Sequence, residues 1–140
     1  MKVKLIKNAQ MPTKGREGDA AWDLYLLEDT TIRPWEFFCL DTGVCLELDP
    51  GYAGMIVPRS SVSKRGISIA NALIDSNYRG EIHVMGTNHS SLGYTFKKGD
   101  RIASLMIFPV YDGKLEQVDE LSESNRGSDW NGSSNNLQQK

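Results

Sequence analysis

The chain has 140 residues, 39% hydrophobic and 24% charged, the balance of one ordinary soluble domain with enough apolar side chain for a core. A net charge of -2 and a pI of about 5.7 exclude a global basic field that would hold nucleic acid without specificity, so an anionic ligand needs a local cluster of cations. No apolar run approaches the ~18 residues of a membrane span.

The N-terminal "MKVKLI" sets Val3 and Leu5 against Lys2 and Lys4. This predicts a first strand, without the long apolar core of a signal peptide. Turn signals then recur through the chain: "PTKGREGD", "EDTTIRP", "LDTG", "LDPGYAG", "DSNYRG", "HSSLG", "KKGD" and "YDGK", helped by 13 glycines. Between them lie short runs rich in Ile, Val, Leu, Phe and Tyr. No window shows sustained helical periodicity. A single helical turn is expected around Val62–Arg65, capped by Ser60 or Ser61. "EIHV" alternates like a half-buried strand. "RIASLMIFPV" is apolar on both faces, like a strand inside a packed core. The pattern predicts an all-β sandwich or barrel.

Cys39 and Cys45 lack metal-type spacing and read as two buried thiols in a reducing compartment, which places the protein in the cytoplasm. With them, His83 and His89 make no convincing zinc site. From Leu121 the chain becomes Ser, Asn, Gly and Gln with few apolar side chains. Such a segment cannot bury enough surface to fold alone. The expected organisation is a β domain over residues 1–120 and a flexible tail over 121–140 that carries Arg126 and Trp130.

"NALIDSNYRGEI" combines an apolar arm (Ala72, Leu73, Ile74), a lone acid, Asp75, and a polar tip that leads through Tyr78 to Gly80, Glu81 and Ile82. It reads as a hairpin. By itself Asp75 is a turn-former and Tyr78 an amphipathic edge residue. Other segments carry chemistry too. "AAWDL" sets Asp23 in a strand. "PRSS" sets Arg59, Ser60 and Ser61 where a guanidinium, two hydroxyls and main-chain N–H groups meet, a phosphate-binding combination. "GDRIASL" opens the apolar strand, and "NRGSDWNGSS" ends the chain with an Arg among small residues.

In this order, from Val3 to Ser134, the series resembles the trimeric all-β dUTPase family, most specifically in "PRSS", "IDSNYRGEI" and "GDRIASL". The resemblance implies a distorted jelly roll (a β-clip sandwich) and a homotrimer with shared active sites. "PRSS" and "GDRIASL" would come from one chain, the hairpin from a second and the closing tail from a third. It implies hydrolysis of dUTP to dUMP and pyrophosphate with Mg²⁺. This would limit uracil incorporation into DNA and supply dUMP for thymidylate synthesis.

Under the resemblance, Asp75 polarises the attacking water and contacts the 3′-OH. Tyr78 excludes a 2′-OH. Main-chain groups from Ala72, Leu73 and Ile74 and from Gly80, Glu81 and Ile82 read uracil. Arg59, Ser60 and Ser61 hold the phosphates, and Asp23 reaches Mg²⁺ through metal-bound water. Arg126 closes on the γ-phosphate, with Trp130, Gly132 and Ser133 of the tail beside it. Asn88 and Ser104 line the site. Arg101 is expected to be structural.

The chain departs from the family pattern at four places. Ala21 and Ala72 replace glycines, and Ser104 replaces Gln. In the tail, Trp130 stands one place before the usual stacking Phe, where Asn131 now sits. Two rival functions are a dCTP deaminase-like enzyme, for which Glu81 would be the acid beside the base, and a catalytically weak dUTP-binding or regulatory homologue. They are separated by ammonia release from dCTP and by nucleotide affinity without turnover. No direct nucleic-acid or membrane partner is expected.

Overall fold

A computed structural model describes residues 1–125, 127 and 128. Its strands are β1 (Lys2–Leu5), β2 (Ala21–Tyr25), β3 (Thr30–Ile32), β4 (Phe37–Glu47), β5 (Tyr52–Pro58), β6 (Ile67–Ile69), β7 (Leu73–Ile74), β8 (Glu81–Asn88), β9 (Tyr94–Phe96) and β10 (Arg101–Pro109). The only helix among the described residues is α1 (Ser60–Ser63). One four-stranded sheet runs β1-β4-β8-β6, a second runs β2-β10-β5-β7, and β3 and β9 form a two-stranded ribbon. Every ladder is antiparallel. The fold is all-β, as the turn spacing predicts, and jelly-roll-like, as the resemblance implies.

The core forms where the inner faces of both sheets meet. Val44, Leu46, Ile82 and Val84 come from the first sheet, and Leu24, Ile56, Ile102 and Leu105 from the second. β8 alternates strictly, with Ile82, Val84, Gly86 and Asn88 buried and the residues between them half-buried. β10 sits between β2 and β5, which explains why its sequence is apolar throughout.

Four expectations need correction. "LDTG" is not a turn: Asp41, Thr42 and Gly43 lie inside β4, at a register shift against β8. The helical turn starts earlier than predicted, with Arg59 rather than a serine at its N-cap and no side-chain cap bond. Cys45 is buried but Cys39 is exposed; both are free thiols. Finally, "NALIDSNYRGEI" is not a paired hairpin. β7 joins β5 in one sheet and β8 joins β4 and β6 in the other. Residues 75–80 therefore cross from sheet to sheet. A local turn signal cannot distinguish a hairpin from a corner, because the choice depends on which strands are already present to pair with each arm.

Leu105 lies at the centre of the second sheet, opposite Trp22 and Ile56, and is 1% exposed. Leu105→Ala should cost about 2–5 kcal/mol, because the three-strand layer around it cannot collapse into the gap. Urea unfolding followed by tryptophan fluorescence measures that cost.

Candidate active site

Asp23 is the buried carboxylate around which the site forms. It is 6% exposed although it carries a charge. Its N–H donates to the Thr13 carbonyl at 2.7 Å, fixing the strand edge. Its side chain meets three donors from other elements. Arg59, just beyond β5, forms an ion pair with Oδ1. Arg101 Nη1 donates to Oδ2 at 3.0 Å, and the Ser104 hydroxyl donates to Oδ1 at 3.3 Å.

The register explains the convergence. Ser104 stands opposite Asp23 on one side and Val57 on the other. Arg59 lies two residues beyond Val57 and so points to the same face. Arg101 is three residues before Ser104, which in a regular strand would place it on the opposite face. A bulge between Arg101 and Ala103 brings it back, opposite Tyr25. Arg101, expected from the sequence to be structural, is thus ion-paired with Asp23 at the cleft, a placement that depends on the bulge; the local signal was the strand-opening "GDR".

These residues line a cleft of about 330 Å³ with Gly15, Asp19, Ala20, Ala21 and Pro58. A larger hollow of about 450 Å³, beside Lys7 and Glu28, contains none of the predicted site residues. In the cleft, burial first, and then the adjacent Arg101, hold the Arg59 guanidinium below its ordinary pKa, while Asp19 opposes the shift. The Arg59 Nε is buried and has no hydrogen-bond partner among the described residues. Asp23 is already paired with both guanidiniums and Asp19 lines the same cleft, but the buried Arg59 Nε is a donor that an anion with several oxygens could satisfy. Ser60 and Ser61 follow in α1, both exposed. The donor set also fits a hard, hydrated cation that arrives with phosphate. A single carboxylate already engaged by two arginines suits a water-mediated contact better than direct ligation.

Ala72, Leu73, Ile74, Asp75, Tyr78, Gly80, Glu81 and Ile82 lie outside this cleft. β7 is three strands from β2, about 14 Å across the sheet at the usual spacing. The pairing of Ile74 with Gly54 lies three residues, about 10 Å, along β5 from Val57. One copy of the chain therefore holds the two halves apart.

The connection itself is well defined. The Asp75 carbonyl accepts Tyr78 N–H at 3.0 Å, so its carboxylate is not required to form the turn. Arg79 Nη1 donates to the carbonyls of Ser76 and Tyr78 at 2.6 and 2.9 Å. The Tyr78 hydroxyl donates to the Glu81 carbonyl at 2.9 Å, and its ring passes so near Gly80 that a Cβ there would lie 2.3 Å from the hydroxyl. Ala72 is not left-handed, so replacing glycine leaves no φ strain. Its carbonyl accepts Ile56 N–H at 3.0 Å.

Asn88 does not line the site. It is fully buried; its Nδ2 donates to the Arg33 and Leu92 carbonyls, both at 2.8 Å, and its Oδ1 accepts from Ser90 N–H and Oγ. It ties loops together and has no capacity left for a ligand. Arg126, Trp130, Gly132 and Ser133 fall outside the described residues.

A second polar cluster lies away from the cleft. Asp41, Glu81 and His83 offer ligand atoms within 4.8 Å of one another, but the Lys7 ammonium sits between the carboxylates, 2.5 Å from Asp41 and 2.7 Å from Glu81. Asp41, and then Glu81, push Lys7 up to about 12; Lys7, and then His83, hold the Asp41 carboxyl below its ordinary value.

The dUTPase family model matches residues 7–135. The chain belongs to the dUTPase family. A deoxyuridine 5'-triphosphate nucleotidohydrolase of Nautilia profundicola is 40% identical over 133 residues, covering 93% of this chain and 94% of the relative. A mutant dUTPase of Staphylococcus bacteriophage 80alpha, solved with dUpNHpp, superposes with a TM-score of 0.88 at 30% identity, covering 95% of this chain and 96% of that one. A mutant dUTPase of S. aureus phage phi11, described with the coordination of a structural Mg(II) ion, gives a TM-score of 0.78 at 26% identity over 85% of this chain and 96% of that one. No helix among the described residues is long and apolar enough to cross a membrane.

Two expectations follow for stability. Asn88→Ala removes four hydrogen bonds, leaves the Ser90 N–H without its acceptor, and should cost on the order of 3 kcal/mol in urea unfolding. The Lys7–Asp41 pair gives a pH dependence. Asp41, lowered from 3.8, contributes stability above that value and loses it as pH falls through its folded pKa. Lys7, raised from 10.5, contributes stability below 10.5 and loses it as pH rises through about 12. Melting temperatures should therefore fall on the acid side less steeply for Asp41→Asn than for the wild type.

Proposed function

We propose that this dUTPase-family chain hydrolyses dUTP to dUMP and pyrophosphate, with consequences for uracil in DNA and for the supply of dUMP. The observation that carries the reading is the Asp23 cleft, where two guanidiniums converge on one carboxylate and the Arg59 Nε still lacks an acceptor. Phosphoryl transfer needs positioning and charge neutralisation more than covalent assistance, and this cleft supplies both.

Arg59 and Ser60 hold the phosphate chain, with Ser61 beside them. Ser104 is already hydrogen-bonded to Asp23 and takes the place of a longer Gln, so its contribution is to orient that carboxylate. Asp75 accepts the proton of the attacking water and meets the 3′-OH. Tyr78, anchored on Glu81, faces the sugar and rejects a 2′-OH. Main-chain groups of residues 72–74 and 80–82 read uracil. Mg²⁺, when bound, neutralises charge on the phosphates; Asp23 would hold it at one remove, through water.

The two halves of this site are about 14 Å apart across the sheet within one copy. The assignment therefore calls for a homotrimer that lends the turn of one subunit to the cleft of the next. Residues 121–140 form the closing tail, with Arg126 on the γ-phosphate, Trp130 on the base, and Gly132 and Ser133 against the phosphates. Closure excludes water and strengthens the contacts. The deaminase alternative loses its acid, because the Glu81 carboxylate is taken up by Lys7 and by Gly43 N–H at 2.8 Å.

Pyrophosphate release with Mg²⁺ should occur from dUTP and not from dCTP, dTTP or UTP. Asp75→Asn should slow it about 10²–10⁴-fold, the usual worth of a positioned general base. Nucleotide affinity without release in the wild type would reject the hydrolase in favour of a binding protein, and ammonia from dCTP would favour the deaminase.

A further inference from the structure

The Lys7 cluster has no part in the chemistry above, yet it adjoins the turn that is read as recognising the nucleoside. Its geometry is built rather than incidental. Lys7 and Asn8 both have φ of 54°, two successive non-glycine residues in the left-handed region. Such backbone persists only where its surroundings hold it. The bend brings the Lys7 ammonium between Asp41 and Glu81.

The Glu81 side chain is only 11% exposed, and both its oxygens are engaged. Oε2 accepts from Lys7, and Oε1 accepts from Gly43 N–H at 2.8 Å. Gly43, at the β4 irregularity, has φ of 67° and lies so close to the N-terminal segment that a Cβ there would come 2.6 Å from the Ile6 carbonyl. Its own carbonyl accepts Ile6 N–H at 2.8 Å. The N-terminal segment, the β4 bulge and Glu81 are thus locked together. Glu81 directly follows Gly80, and its carbonyl carries the Tyr78 hydroxyl.

We infer that Lys7 is a positioning residue for the nucleoside-recognition turn 75–80, acting through Glu81. This rests on the reading of that turn given under the proposed function. Removing the ammonium leaves two carboxylates facing each other. The exposed Asp41 can turn to solvent. Glu81, its side chain only 11% exposed, is left a nearly buried charge with Gly43 N–H as its remaining donor, so Glu81 is the group whose position loosens. Because the Glu81 main chain anchors Tyr78, the displacement reaches the sugar-facing ring and leaves the Asp23 cleft untouched. The expected signature is weaker binding and poorer sugar selectivity at an unchanged chemical step.

The experiment compares wild type, Lys7→Met, Lys7→Arg and the double variant Lys7→Met with Glu81→Gln, measuring kcat and KM for dUTP and for UTP, with a melting curve for each. Lys7→Met should raise KM for dUTP about tenfold with kcat within about twofold, the size expected for one lost charge-assisted support. Its discrimination against UTP should fall, and Lys7→Arg should recover most of both. The double variant should be little worse than Lys7→Met alone. A folded Lys7→Met with unchanged KM and unchanged discrimination overturns the inference. So does a variant that loses kcat and KM together with melting temperature and is not recovered by Arg, because that marks a purely structural ion pair. Absence of dUTP turnover in the wild type overturns the functional reading and this inference with it, an outcome distinct from the other two.

Discussion

A buried carboxylate must be neutralised, and in this protein that requirement organises the site. Asp23 is in β2, Arg101 and Ser104 are in β10, and Arg59 directly follows β5. An unpaired charge at this depth would cost several kcal/mol, so the three strands are held in the one register that brings donors to it. The same contacts leave two guanidiniums at the rim of a cleft. Local stability and anion recognition therefore have a common origin. The Arg59 Nε, buried without an acceptor among the described residues, marks where the arrangement can take a ligand.

The second organising feature is the corner at residues 75–80. β7 and β8 belong to different sheets, so this short connection bridges the two layers. A corner has fewer ladder bonds than a hairpin, and its shape is set by contacts at its ends. Arg79 clasps the turn from within, Tyr78 bonds to Glu81, and Glu81 is secured by Gly43 and Lys7. Asp75 and the Tyr78 ring, the general base and the sugar-facing group of the proposed function, thus stand on a braced edge away from the Asp23 cleft. Under the proposed function, a site divided in this way calls for copies of the chain to assemble.

Several departures from the family pattern have a physical account. Ala72 has no positive φ, so replacing glycine there brings no left-handed strain. Ser104 is too short to reach far into the cleft but long enough to bond Asp23. Ala21 begins β2 beside the cleft, half-buried, and nothing in the structure explains the change there.

The strands were legible in the sequence because alternation and turn residues are local signals. β8 and β10 match their patterns closely. The apolar character of β10 also announced a central strand. The motif residues Asp23, Arg59 and Ser104 were legible as chemistry, and the fold places them together. Pairing and parity were not legible. The bulge that turns Arg101 toward Asp23, the split of β7 and β8 between sheets, and the burial of Asn88 as a loop clamp all depend on partners distant in the chain. Lys7 carried no local signal; only the left-handed bend after β1 brings it between Asp41 and Glu81. Residue types and short-range spacing determined the class of fold and the kind of chemistry. The direction each side chain faces was decided by tertiary register, since a single inserted residue reverses the face of a strand and composition does not record it.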